Sequence, residues 1–119
     1  MDTPPVEIRL RKNSRVLSLE FEDGSRFDLP FEYLRVNSPS AEVRGHGSGE
    51  EVLQTGKENV VVTGVEPIGH YAVRLHFSDG HDTGLYTWKY LYDLGRDQER
   101  NWQSYLDRLA AAGHQRKHP

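Results

Sequence analysis

Two stretches decide the fold: Leu19-Glu20-Phe21-Glu22-Asp23-Gly24-Ser25-Arg26-Phe27-Asp28-Leu29, and, 56 positions later, Leu75-His76-Phe77-Ser78-Asp79-Gly80-His81-Asp82-Thr83-Gly84-Leu85. In each, apolar residues alternate with polar ones on both sides of an Asp-Gly pair, the signature of a β-hairpin. Parity selects the loop. A two-residue Asp23-Gly24 turn would set Phe27 opposite Glu20, whereas a three-residue Glu22-Asp23-Gly24 loop sets Leu19 opposite Phe27, Leu17 opposite Leu29 and Glu20 opposite Arg26. The same arithmetic for Ser78-Asp79-Gly80 places Val73 opposite Leu85, Phe77 opposite His81 and His76 opposite Asp82. Beyond each hairpin the copy continues, since Tyr33-Leu34 recurs as Tyr90-Leu91 after a one-residue insertion.

Working outward, Val6, Ile8 and Leu10 alternate and predict a strand before the first hairpin, closed by a turn at Lys12-Asn13-Ser14. The β-branched run Val60-Val61-Val62 predicts another, more deeply buried strand before the second. Helical turns are expected at Pro30 to Leu34 and at Thr87 to Leu94, the latter with Thr87 as N-cap and Gly95 as its stop. A C-terminal amphipathic helix over 97–112 presents Trp102, Tyr105, Leu106, Leu109 and Ala112 as one stripe, ended by Gly113. Trp88 and Tyr92 are expected on the buried side of the helix before it. The reading is thus an α+β fold: two layers, a mainly antiparallel sheet of about five or six strands built from two repeated hairpin-helix units, and a C-terminal helix. It fits a single domain, 1–119, with a flexible glycine-rich excursion at 37–58 and a frayed tail at 114–119.

Composition narrows the function. A formal net charge of −3 disfavours nucleic acid as a partner, and the basic stretch Arg9, Arg11, Lys12, Arg15 reads as a solvated strand and turn. The sequence has no cysteine, so disulfides, thiolate metal sites and cysteine nucleophiles are excluded. Met1 to Arg15 lacks the apolar run of a secretory signal and nothing resembles a membrane span, so a cytoplasmic address without membrane contact is expected. Gly45, Gly47, Gly49 and Gly56-Lys57 fail as a phosphate loop because the spacing is too long, Glu58 replaces the magnesium-holding hydroxyl, and Glu50-Glu51 would repel phosphate. His76, Asp79, His81 and Asp82 raise acid-base or metal chemistry, but the hairpin pairing sends the two histidines to opposite faces. Tyr86, Trp88, Tyr90 and Tyr92 could line a groove or simply be core.

The segments Leu29 to Ser40 (Leu-Pro-Phe-Glu-Tyr-Leu-Arg-Val-Asn-Ser-Pro-Ser) and Phe77 to Trp88 (Phe-Ser-Asp-Gly-His-Asp-Thr-Gly-Leu-Tyr-Thr-Trp) resemble the small N-terminal domain of gamma-butyrobetaine hydroxylase, over about residues 6–95. That domain also occurs in stand-alone bacterial proteins of unknown function and attached to some P-loop iron-sulfur cluster carriers. The resemblance implies an α+β accessory domain without catalysis of its own, since the hydroxylases keep their iron and 2-oxoglutarate chemistry in a separate barrel that this sequence lacks. It also implies a zinc position, held in the hydroxylases by three cysteines and a histidine, whose counterparts here are Ser38, Ser40, Val43 and His81. Neutral hydroxyls and a valine do not replace thiolates, so no metal or other cofactor is expected. The Ser38 to Val43 loop should still lie beside the Asp79-Gly80-His81 turn.

These observations favour a non-catalytic accessory or binding module whose partner is another protein, with Arg35, Ser38, Ser40, Arg44, His46, Asp79, His81 and Tyr86 as its candidate surface. One alternative is a metal-linked role, with zinc or iron, assisting iron-sulfur cluster assembly. The other is a small-molecule enzyme drawing an acid-base pair from His76, Asp79, His81 and Asp82.

Overall fold

The first hairpin closes as its parity demands. In the computed structural model, which describes residues 3–45 and 51–117, strand β2 (Val16–Glu20) pairs antiparallel with β3 (Arg26–Pro30) through Leu17 and Leu29, Leu19 and Phe27, and Glu20 and Arg26. At the tip the Phe21 amide donates to the Ser25 carbonyl (2.9 Å), the Gly24 amide to the Phe21 carbonyl (3.0 Å), and Gly24 takes a positive φ of 87°. The second tip repeats this closure: Phe77 N donates to His81 O (3.1 Å), Gly80 N to Phe77 O (3.0 Å), and Gly80 also has φ 87°. Each aspartate caps its own turn, Asp23 Oδ1 accepting from the Ser25 amide (2.9 Å) and Asp79 Oδ1 from the His81 amide (3.2 Å).

Away from the tip the second hairpin departs from its expected register. Strand β5 (Ala72–Phe77) pairs with β6 (Leu85–Thr87) through Val73 and Tyr86 and through Arg74 and Leu85, one residue on from the expected Val73–Leu85 pair. The extra residue lies in the irregular stretch between His81 and Leu85, so Tyr86, not Leu85, is the structural counterpart of Leu29, and both are fully buried. The one-residue insertion between Tyr33-Leu34 and Tyr90-Leu91 is therefore placed before Leu85, not after it.

Among the described residues, six strands divide between two three-stranded antiparallel sheets, β1 (Glu7–Arg11), β2, β3 in one, and β4 (Val62–Ile68), β5, β6 in the other. Both sheets feed one apolar cluster containing Leu17, Phe21, Leu29, Val62, Leu75 and Tyr86. The alternation around β1 meets the core only at its far end: Leu10 packs against the apolar cluster, whereas Ile8 is 37% exposed and Val6, just before the strand, 58%. Arg15, expected to be solvated, sits at φ 58° and donates from Nη2 to the carbonyls of Glu58 and Val60 (3.3 and 3.4 Å), linking the first turn to the chain that enters β4.

Helix α1 (Phe31–Val36) follows the first hairpin and α3 (Trp88–Arg96) the second; between them lies the short α2 (Ala41–Arg44). Thr87 caps α3, its hydroxyl accepting from the Tyr90 amide (3.1 Å). Gly95 is not the stop of α3 but part of it, and a Cβ there would stand 2.2 Å from the Phe27 ring, so the glycine admits an aromatic side chain from β3. Trp88, Leu91 and Leu94 are the buried residues of α3, with Tyr92 half-buried. Helix α4 (Gln98–Ala111) buries Tyr105 and Leu109 and leaves Ala112 exposed beyond its end. Residues 114–117, expected to fray for want of apolar anchors, are held instead by charge: Arg116 pairs with Glu32, and the Lys117 amide donates to Glu58 (2.6 Å). The central part of the expected glycine-rich excursion, 46–50, lies outside the described residues. No helix among the described residues is long and apolar enough to cross a membrane.

Candidate functional site

The register slip in the second hairpin has a cause next door. Gly84, one residue before β6, is buried, and a Cβ there would fall 2.4 Å from the Ser38 hydroxyl and 3.2 Å from Pro39. The missing side chain lets the segment between α1 and α2 lie directly on the hairpin, bringing 38–43 to the Asp79-Gly80-His81 turn as the sequence leads one to expect.

Ser38 is fully buried, and its Oγ lies 2.7 Å from His81 Nε2. On the other side of the ring, His81 Nδ1 lies 3.1 Å from Glu42 Oε2. A carboxylate only accepts, so Nδ1 carries the ring proton and Nε2 accepts from the Ser38 hydroxyl. Burial first, then the Arg35 charge, push the imidazole below its ordinary value, which favours this neutral form. Ser40 caps α2, its hydroxyl accepting from the Glu42 amide (3.2 Å) and lying 2.6 Å from the Thr83 hydroxyl. Beside this lies a charged group: Asp79 Oδ2 accepts from Arg35 Nε (2.9 Å) and Lys57 Nζ (2.8 Å). Burial would raise the Asp79 carboxyl, but the hydrogen bonds from Lys57 and Arg35 outweigh it and hold the group at about 2.

Five candidate residues, Arg35, Ser38, Ser40, Asp79 and His81, thus converge. All but Asp79 are buried, so they form an internal clamp and not an open surface. Tyr86 lies beneath Gly84, wholly buried, and its phenol donates to the Leu34 carbonyl (2.7 Å). Tyr90 does the same for Asn37 (2.6 Å), so these rings satisfy carbonyls left open at the end of α1 rather than lining a ligand groove. Arg44 is exposed and meets the Tyr90 hydroxyl, its guanidinium 5.6 Å from the ring centre. His46 lies outside the described residues. His76 is apart from His81, paired with Glu66 (2.9 Å) and more loosely with Asp82 (3.9 Å).

Sequence reasoning missed Glu42, Lys57, Thr83 and Gly84. The signal for Glu42 was present, an acidic residue two after a serine that can cap a short helix; nothing local marks the other three.

Ser38, His81 and Glu42 reproduce the order of bonds in a serine-histidine-carboxylate triad. Attack needs room for an acyl carbon beside Oγ, and here that space is taken by the Gly84 backbone and Pro39. Zinc does not fit either. Ser38 and Ser40 offer neutral hydroxyls, Val43 offers no donor, and His81 Nε2 is already bonded; among the described residues no group of three histidine or carboxylate side chains could hold a metal ion.

Among the described residues, two antiparallel sheets, four helices and an internal polar clamp define a small α+β domain. Residues 8–92 match the gamma-butyrobetaine hydroxylase-like, N-terminal family, and the chain belongs to it. Two proteins solved by NMR share 50% and 49% identity with TM-scores of 0.85 and 0.82, each over 98% of this chain and over 92% and 86% of their own. A crystal structure of a protein of unknown function from Acidithiobacillus ferrooxidans, of the DUF971 family, shares 47% identity with a TM-score of 0.66, over 79% of this chain and 94% of its own. No curated protein matches the chain.

Proposed function

We propose that this chain is a non-catalytic accessory module that binds another protein. The observation carrying this reading is the closure of its one triad-like group among the described residues: a fully buried Ser38 under Gly84 serves structure, not turnover. The clamp fixes α2 on the hairpin, so that Glu42 and Arg44 stand in solvent at defined positions. A rigid, charged loop of this kind suits recognition of a partner surface at low ordering cost.

The test is affinity capture from native lysate with the wild-type chain and with Arg44→Glu, alongside an esterase assay of wild type and His81→Ala. A partner retained by the wild type and lost with Arg44→Glu is expected, with no ester turnover above the His81→Ala background. Turnover that disappears with His81→Ala would contradict the reading.

A further inference from the structure

The tail that was expected to fray points to a second site, on the opposite end of α1. Glu32, in the first turn of that helix, is buried, yet both its oxygens are engaged by one guanidinium: Arg116 Nε donates to Oε2 at 2.8 Å and Nη2 to Oε1. The same guanidinium lies 5.3 Å from the centre of the Trp102 ring. A buried carboxylate meeting a planar fork, with an indole beneath it, is a socket for arginine specifically, because the point charge of lysine can neither fork nor stack in that way. Arg116 enters it from the short, mostly exposed tail that follows α4. Past Gly113, residues 114, 115 and 117 are exposed; the His114 amide donates to the Leu109 carbonyl of α4 (2.9 Å) and the Lys117 amide to Glu58.

The socket opens into a groove of about 660 Å³ that also includes Tyr33, Arg96 and Glu99. With Arg116 lifted away, Glu32 and Glu99 remain there, while the remaining cation, Arg96, is already engaged by Asp93 and Asp97 (3.3 and 3.1 Å). The vacated groove is acidic.

We infer that Glu32 and Trp102 form an arginine-binding site, filled in cis by Arg116 and available in trans to an arginine-bearing basic segment of a partner protein. The inference rests on the binding-module reading and gives the partner a chemistry. A second copy's tail offers the same single arginine and gains nothing over the tail already tethered. Displacement needs a segment that also uses the free length of the groove toward Glu99, since an attached tail acts at an effective concentration on the order of millimolar.

The test uses the full chain carrying Arg116→Ala and, as probe, a synthetic peptide of residues 114–119, with a second peptide in which its arginine is lysine. The Trp102 indole N–H resonance reports binding, and the Trp88 indole, bonded to the His70 carbonyl (2.8 Å), reports that the fold is intact. The arginine peptide should shift Trp102 saturably in Arg116→Ala. It should bind the wild type, the lysine peptide should bind Arg116→Ala, and the arginine peptide should bind Glu32→Gln/Arg116→Ala, each at least about tenfold more weakly. Absence of a saturable shift in Arg116→Ala, or equal binding of the two peptides, would overturn the site; Arg116-dependent self-association of the wild type would assign the groove to a second copy and overturn the partner claim. Arg44-dependent capture is read separately, so the groove can fail while the binding-module reading stands.

Discussion

The two hairpins are the same device set to different tasks. Both close with an identical three-residue tip, a glycine at φ 87° and an aspartate capping its own turn. The difference lies in the other oxygen of each aspartate and in one inserted residue. Asp23 Oδ2 accepts from the Tyr92 phenol (2.7 Å) at the surface, whereas Asp79 Oδ2 draws in Arg35 and Lys57. On the first hairpin the large Phe27 side chain fills the space over α3 and Gly95 gives way to it; on the second, Gly84 gives way and Ser38 enters. A repeat can preserve the turn while moving bulk from one partner to the other, and the side that loses its side chain gains a buried polar bond.

If this exchange of bulk is what separates the hairpins, restoring a side chain at Gly84 should have the largest effect. Gly84→Ala forces either Ser38 or the β6 backbone to move and should cost about 3 kcal/mol in urea denaturation, near the upper end for overpacking. His81→Ala leaves the Ser38 hydroxyl buried without its partner and should cost about 2 kcal/mol. It should also speed amide exchange across residues 38–45 while leaving the first hairpin unchanged; unaltered exchange in 38–45 would remove the clamp.

Acid should loosen the second hairpin before the first. Asp79 lies at about 2 in the folded chain, below its ordinary 3.8, so the stability it adds is present above about pH 4 and is lost as pH falls toward 2. With its side chain 22% exposed and partly screened, that loss should be on the order of 1 kcal/mol. His81, also lowered, acts in the same direction: its contribution is whole above about pH 6.5 and declines below, as the unfolded chain takes up the proton more readily. Tm measured against pH should therefore fall in two steps, and His81→Ala should erase the upper one. Smallest of all, Asp23→Asn at the exposed tip should leave the urea midpoint unmoved.

Both hairpins, the loop type, the complete register of the first and the two helix starts were legible because alternation and Asp-Gly chemistry are local. The register of the second was not, since it depends on Gly84 meeting Ser38, residues 46 positions apart with no shared pattern. Meeting of the 38–43 loop and His81 followed from the family resemblance, but its burial did not: hydroxyls, a guanidinium and an imidazole read as surface until their partners are known. Gly95 read as a stop because a glycine that ends a helix and one that admits a neighbouring ring look alike in sequence. The docked tail was invisible for a related reason, a lone arginine in a polar run being anchored by a glutamate 84 residues away.

A neutral imidazole bonded to a buried serine stands where the resemblance to the hydroxylase domain implies a metal. Long-range 1H–15N correlation of the His81 ring, recorded after chelation and again with added zinc, tests it most directly. A protonated Nδ1, an Nε2 that accepts a hydrogen bond, a titration below the ordinary histidine value and no change on adding zinc are expected. A ring nitrogen shifted by stoichiometric zinc, with Ser38 released to solvent, would contradict it.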